Sequence, residues 1–298
     1  AGDDAQGASS GSITIPGTDT IIDQLPASMA ETDRKHEVIN QVIKQAIAGI
    51  PDLNLSYKDY LDGDLTENIV EMIDTGSTGR QTNAPGSGDF DYLARLDRSI
   101  LNDPTKKQQI TDALLTAFGK ENDGSAIVNG NLRLKQVSLD GLAEPVDIDI
   151  TFAQKTNKVQ YPTDAALADR LSNIKNQSET KYQQVLANII YAKQFLKANQ
   201  VYKPRRSPEA EGVGGLGGVG IENWVLQHGG SFKQAARDFL SVADSCSSFE
   251  DFCAHYPVWD YGENHKGIRS KPHDNFVADN MNQAGYNRMK QALRTVVG

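Results

Sequence analysis

Apolar residues at Val38, Ile39, Val42, Ile43, Ala46 and Ile47 recur every three or four positions, with polar residues between them. This spacing predicts an amphipathic helix of about four turns, capped near Thr32 or Asp33. Residues 69–73, apolar except for Glu71, read as a short buried strand ending at Thr75. A turn at Gly76-Ser77, a loop through 83–86 and a second strand over 90–96 follow. Asn102-Asp103-Pro104 opens a helix reaching about Phe118, with proline at a favourable early position. Two more strands are predicted at 132–139 and 146–152. The last alternates strictly, with Asp147, Asp149 and Thr151 on one face. Acidic residues are poor strand formers, so two on one short strand call for a chemical reason.

Beyond Glu179 the pattern is helical throughout. Val185, Ile189, Ala192, Phe195 and Leu196 form a stripe ending near Asn199, and a glycine-rich loop spans 212–220. Helices are predicted over 221–228, over 232–240 after the break at Gly229-Gly230-Ser231, and over 275–296. The Asn/Gln/Thr/Lys-rich stretch 155–178 reads as a hinge. The chain thus divides into a flexible tail over 1–30, an α+β domain over 31–160 and a helical domain over 161–298.

Composition adds limits. Apolar residues make up 38% of the 298, and no run approaches the ~20 needed to span a membrane. The first twelve residues lack the basic and apolar regions of a signal peptide and read as a trimmed, flexible start. A net charge of −9 argues against a broadly basic nucleic-acid surface, although Tyr202-Lys203-Pro204-Arg205-Arg206 is a local positive patch. Cys246 and Cys253, seven apart, would share one helix face too far apart for an easy disulfide. With His255 nearby they match no familiar zinc spacing. They are expected as buried or half-buried thiols in a cytoplasmic protein.

The most informative segment is Gly76-Ser77-Thr78-Gly79-Arg80-Gln81-Thr82, followed by Gly88-Asp89-Phe90-Asp91-Tyr92. Alternate strand residues share a face, so Asp89 and Asp91 would sit side by side and repel unless a cation stands between them. A divalent metal carrying a nucleotide's phosphates supplies that cation. Ser77 and the backbone N–H groups after it are suited to phosphate, and Arg80 to a charge-assisted contact. A third carboxylate, from Asp149 or Asp147, would complete a two-metal phosphoryl-transfer site. The glycine loop 212–220 is neither a dinucleotide fingerprint nor a P-loop, since no apolar strand precedes it and no Gly-Lys-Ser/Thr appears.

Gly-Ser-x-x-Arg-x-Thr with Gly-Asp-Phe-Asp resembles the polymerase-β-type nucleotidyltransferases, most of all the class I, archaeal-type CCA-adding enzymes. The stretch from Lys193 to Tyr202, the glycine loop through Glu222 with Gly230-Ser231-Phe232, and Asn275-Phe276-Val277-Ala278-Asp279-Asn280 are similar to further segments of that group. The resemblance implies an α+β nucleotidyltransferase fold with a mixed sheet and a helical second domain. It implies Asp89, Asp91 and Asp149 as catalytic metal ligands, with Asp149 preferred over Asp147. Gly76, Ser77, Arg80, Lys193 and Tyr202 would serve the nucleotide's phosphates, and Thr163 its ribose. Two Mg2+ ions, or Mn2+, would be cofactors, with an NTP, ATP foremost, as substrate. The implied reaction moves NMP to the 3′ end of an RNA and releases pyrophosphate. A synthase of nucleotide second messengers, similar to cyclic GMP-AMP synthase, is the alternative. The likeness departs at Ala165 and Ala166, where the group has a histidine, and at Gly214, where it has an arginine. The part that grips the tRNA elbow has no counterpart here.

Overall fold

The computed structural model describes residues 15–86, 88–156, 162–203, 212–262 and 275–297. Two compact units emerge, one of Ala27–Gln160 and one of Tyr161–Gly298 with Ala1–Pro26. Arg205 and Arg206 of the basic patch lie outside the described residues.

The first unit is built on a six-stranded mixed sheet of order β1-β2-β3-β6-β5-β4. Its strands are β1 (Ser56–Lys58), β2 (Ile69–Thr75), β3 (Phe90–Leu96), β4 (Ile127–Val128), β5 (Asn131–Val137) and β6 (Val146–Gln154). β2 runs antiparallel to β3, β3 runs parallel to β6, and β5 is antiparallel to β6. Helix α1 (Thr18–Ala48) and helix α4 (Pro104–Ala117) supply Ile39, Ile43, Ile47, Ile110 and Leu114 to a core with Val70, Met72, Tyr92, Ile148 and Ile150. Between them lie the short helices α2 (Gly76–Arg80) and α3 (Arg98–Leu101). Asp103 caps α4, accepting from the N–H groups of Thr105 and Lys106, with Pro104 where a missing N–H costs nothing.

Helix α1 is much longer than its apolar stripe predicted. Residues 18–30, expected in a flexible tail, are helical, because Ile21 and Leu25 continue the i, i+4 stripe and are fully buried. Pro26 inside the helix is a residue that normally ends one, which hides this extension in the sequence.

The other unit is helical: α5 (Pro162–Gln177), α6 (Glu179–Ala198), α7 (Gly218–Gln227), α8 (Phe232–Ser245), α9 (Phe249–His255), α10 (Phe276–Asn280) and α11 (Gln283–Val297). Its core is aromatic, with Tyr191, Phe195, Trp224, Phe232, Phe239, Phe252, Tyr256 and Tyr286 in edge-on, tilted or stacked contacts. Most of the expected hinge is α5, anchored by buried Leu167 and Leu171 at i, i+4. The single helix expected over 275–296 is two. It breaks where Asn282 turns to the glycine loop, its Oδ1 accepting from Gly214 N–H and its Nδ2 donating to the Gly212 carbonyl. α8 ends at Ser245, so Cys246 and Cys253 do not share a helix; neither is in a disulfide and both are half-buried.

One charged pair is buried in the sheet unit. Arg95 on β3 and Glu71 on β2 are each 1% exposed, with Nε 3.6 Å from Oε1. Arg95 also donates to the Thr156 carbonyl at 2.6 Å. Removing one member leaves the other as an uncompensated buried charge. Arg95→Met is therefore expected to destabilise the protein by about 3–5 kcal/mol; an unchanged urea midpoint would show that the pair contributes nothing.

Candidate active site

Two neighbouring strands, β3 and β6, carry Asp91 and Asp149. In the antiparallel ladder Asp91 lies opposite Thr75, and in the parallel ladder it lies opposite Asp149. Residues directly opposite one another share a sheet face, so Asp91 and Asp149 stand together on the face away from the α1 core. Asp89 precedes β3 by one residue and is exposed. Its charge, with that of Asp149, raises the pKa of Asp91.

The helix α2 is fixed against these acids. The Thr78 hydroxyl donates to the Asp89 carbonyl at 3.2 Å, and Thr82 N–H donates to the Ser77 carbonyl at 2.9 Å. Gln81, left-handed at φ 62°, closes the helix and donates from Nε2 to Asp33 at 2.7 Å. Gly76 opens it at φ +68°, and a Cβ there would sit 2.2 Å from Asp91 Oδ2. Only glycine allows both the left-handed backbone and the carboxylate's approach.

Crowding and burial set the electrostatics. Burial, then the charges of Asp149 and Asp89, push Asp91 up to about 7, with Arg80 opposing. Burial also raises Asp149, against the pull of Arg133 and Lys135. The Asp149 Oδ1 atom is buried and accepts no hydrogen bond, with Arg133 Nε 3.7 Å away. Acids that repel one another, a buried oxygen without a donor and a cradle emptied by Gly76 fit a hard divalent cation held by oxygen ligands. Asp89, Asp91 and Asp149 are the residues that would hold it.

Asp147 is differently engaged. β5 and β6 change register between Leu134 and Val137, so Lys135 and Gln136 face the single residue Asp147, as in a β-bulge. Gln136 N–H donates to Asp147 Oδ1 at 2.9 Å, and Lys135 Nζ lies 3.5 Å from Oδ2. Arg133 and Lys135 escaped the sequence reading. Their signal was the alternation Leu132-Arg133-Leu134-Lys135, which puts basic residues on the acidic face.

The helical unit holds the remaining expected residues. Lys193 on α6 and Glu222 on α7 are buried, with Nζ 3.6 Å from Oε2. A Cβ at Gly218 would lie 2.8 Å from the Tyr202 hydroxyl and 3.8 Å from Lys193 Nζ. Lys193, Tyr202 and the first turn of α7 therefore come together. Thr163 is apart from that cluster in its bonding, its hydroxyl donating to Asp260 Oδ2 at 2.6 Å. Asn275 serves as a cap, accepting from Val277 N–H, and from Val258 N–H.

No protein-family model matches the chain, and no curated protein matches it in sequence. Solved structures do. Cid1 poly(U) polymerase with MgGTP bound is 13% identical, covering 94% of this chain and 93% of that one at a TM-score of 0.57. A cytoplasmic RNA terminal U-transferase is 13% identical, covering 92% and 90% at 0.54. CdnC of E. coli MS115-1 with ATP is 14% identical, covering 92% and 88% at 0.51. The chain has the fold of the polymerase-β-type nucleotidyltransferases, a mixed-sheet unit and a helical unit.

Two outcomes follow from the crowded acids. Gly76→Ala should fold yet lose at least tenfold in Mn2+ affinity, read by titration calorimetry, because the methyl displaces Asp91; unchanged affinity would remove Asp91 from the metal site. A carboxyl raised by folding takes up a proton between about 4, its unfolded value, and about 7. Metal-free protein should therefore lose stability as pH rises through this window. At pH 8, Asp91→Asn should raise Tm by about 2–4 °C. A fall in Tm would contradict the repulsion.

Proposed function

We propose that this chain is a metal-dependent nucleotidyltransferase that moves NMP from an NTP to the 3′ hydroxyl of an RNA, in the manner of a CCA-adding enzyme, and releases pyrophosphate. The observation carrying this reading is the register that sets Asp91 opposite Asp149 beside Asp89, with Gly76 against the Asp91 carboxylate. Bound to these acids, two Mg2+ ions, or Mn2+, would supply Lewis acidity at the α-phosphorus and offset the charge of the leaving pyrophosphate.

The chain's own groups divide the remaining work. Ser77 and Arg80, on the helix that follows Gly76, are assigned to the β- and γ-phosphates. Asp149, its Oδ1 without a hydrogen-bond donor, is the acceptor for the proton of the attacking hydroxyl. Lys193 and Tyr202 keep the triphosphate contacts, and Thr163 the ribose contact, that the family resemblance implies. ATP is the first NTP to test. Two cysteines kept out of a disulfide accord with a reducing, cytoplasmic setting. Among the described residues no helix is long and apolar enough to cross a membrane.

A net charge of −9 favours a second reading. An acidic surface repels a long polyanion, whereas a single nucleotide acceptor needs few contacts. That reading is a synthase of nucleotide second messengers, similar to cyclic GMP-AMP synthase.

Incubation with each labelled NTP and Mg2+, with and without tRNA lacking its 3′ end, separates the two. RNA elongated by nucleotides supports the first; small phosphatase-resistant products formed without RNA support the second. No turnover with either Mg2+ or Mn2+ would sink both. Asp91→Asn is expected to lower transfer by at least 10³-fold, on the order of 4 kcal/mol in transition-state free energy, with its fold intact by circular dichroism.

A further inference from the structure

The corner between α8 and α9 gathers three different metal-ligating side chains. One ligand atom from each of Cys246, Asp251 and His255 lies within 4.8 Å of the other two. None belongs to the acidic site of the sheet unit.

The backbone fixes this cluster. Cys246 caps α8 in an extended conformation, its N–H donating to the Ala243 carbonyl. Ser248 caps α9, its hydroxyl accepting from Asp251 N–H at 3.0 Å. Ser247 N–H donates to Asp251 Oδ2 at 3.1 Å, which aims the other carboxylate oxygen at His255. Asp251 and His255 are one helical turn apart and so share a face, with the ring oriented by Nδ1, 2.8 Å from the Asp251 carbonyl oxygen and 3.1 Å from Oδ1. Fully buried Phe252 packs its ring 4.6 Å from Phe239 and 4.7 Å from Tyr286, which locks α9 in place. Cys246 and Asp251 are half-buried and His255 is exposed, so an ion can enter without unfolding.

We propose that Cys246, Asp251 and His255 bind one Zn2+, with water in the fourth position. A sulfur, nitrogen and oxygen donor set disfavours Mg2+ and Ca2+, which take oxygen ligands. It suits zinc, which accepts all three in a tetrahedral site. A thiolate and a carboxylate cancel the two positive charges of the ion, so the loaded site is neutral. The ion ties the end of α8 to α9 and stabilises the helical unit, since it binds the folded corner and not the open chain.

Cobalt tests this directly, because a thiolate ligand gives Co2+ a charge-transfer band that carboxylates cannot. Protein stripped with EDTA, loaded with Co2+ and freed of excess should show the band at one equivalent and lose it on adding Zn2+. Asp91→Asn and Cys253→Ser should keep the band; Cys246→Ser and His255→Ala should lose it or weaken binding at least tenfold. Zn2+ should raise the Tm of the stripped wild type. No band in the wild type, or a band that survives Cys246→Ser, overturns the assignment. If Cys246→Ser does not fold, Cys253→Ser decides it: loss of the band there assigns the thiolate to the wrong cysteine.

Discussion

Asp91 and Asp149 are held opposite each other by the backbone ladder of two central strands, and neither can retreat without breaking the sheet. The arrangement is unfavourable on its own terms: burial raises both carboxyls, and the charges of Asp149 and Asp89 push Asp91 up further. It persists because the opposite face of the same strands carries Phe90, Tyr92, Ile148 and Ile150, all buried in the α1 core. Hydrophobic burial on one face thus sustains electrostatic repulsion on the other. Arg80, Arg133 and Lys135 temper the repulsion without neutralising it.

Close approach recurs as a building rule in both units. Gly76 admits a carboxylate, and Gly218 admits a tyrosine hydroxyl beside Lys193. Gly215 and Gly285 allow backbone to meet backbone, since a Cβ at either would fall under 2 Å from a carbonyl oxygen, at 1.8 and 1.7 Å. The glycine-rich loop is therefore a packing element, clamped between Lys203, whose carbonyl accepts from Gly215 N–H, and Asn282.

Local patterns made the sheet unit legible. Residues 146–152 announced a strand with an acidic face through strict alternation, and the strand ending at Thr75 followed from the mostly apolar run at 69–73. The Gly-Ser turn and Asp-x-Asp spacing pointed to Asp91, which the ladder sets opposite Asp149. Strand order was not legible, because β3 pairs with β6 across more than fifty intervening positions and hydrophobic pattern carries no record of partners. Nor were the first turns of α1, where Pro26 interrupts the pattern that Ile21 and Leu25 carry. Asn282 broke a predicted helix through hydrogen bonds to residues some seventy positions earlier, contacts that no local window contains.

The bulge on β5 separates Asp149 from what lies beyond it in the chain. Above it, Leu132 and Leu134 pair with Ile150 and Ile148; below it, Val137 pairs with Val146. The extra residue is absorbed at Gln136, at φ 54°, next to Asp147 and two places from Asp149. A shift of frame arising between 138 and 145 would thus be taken up at this bulge before it reached the acidic face, while the loop itself is held to α1 by Arg34, whose Nη1 donates to the Gly141 carbonyl.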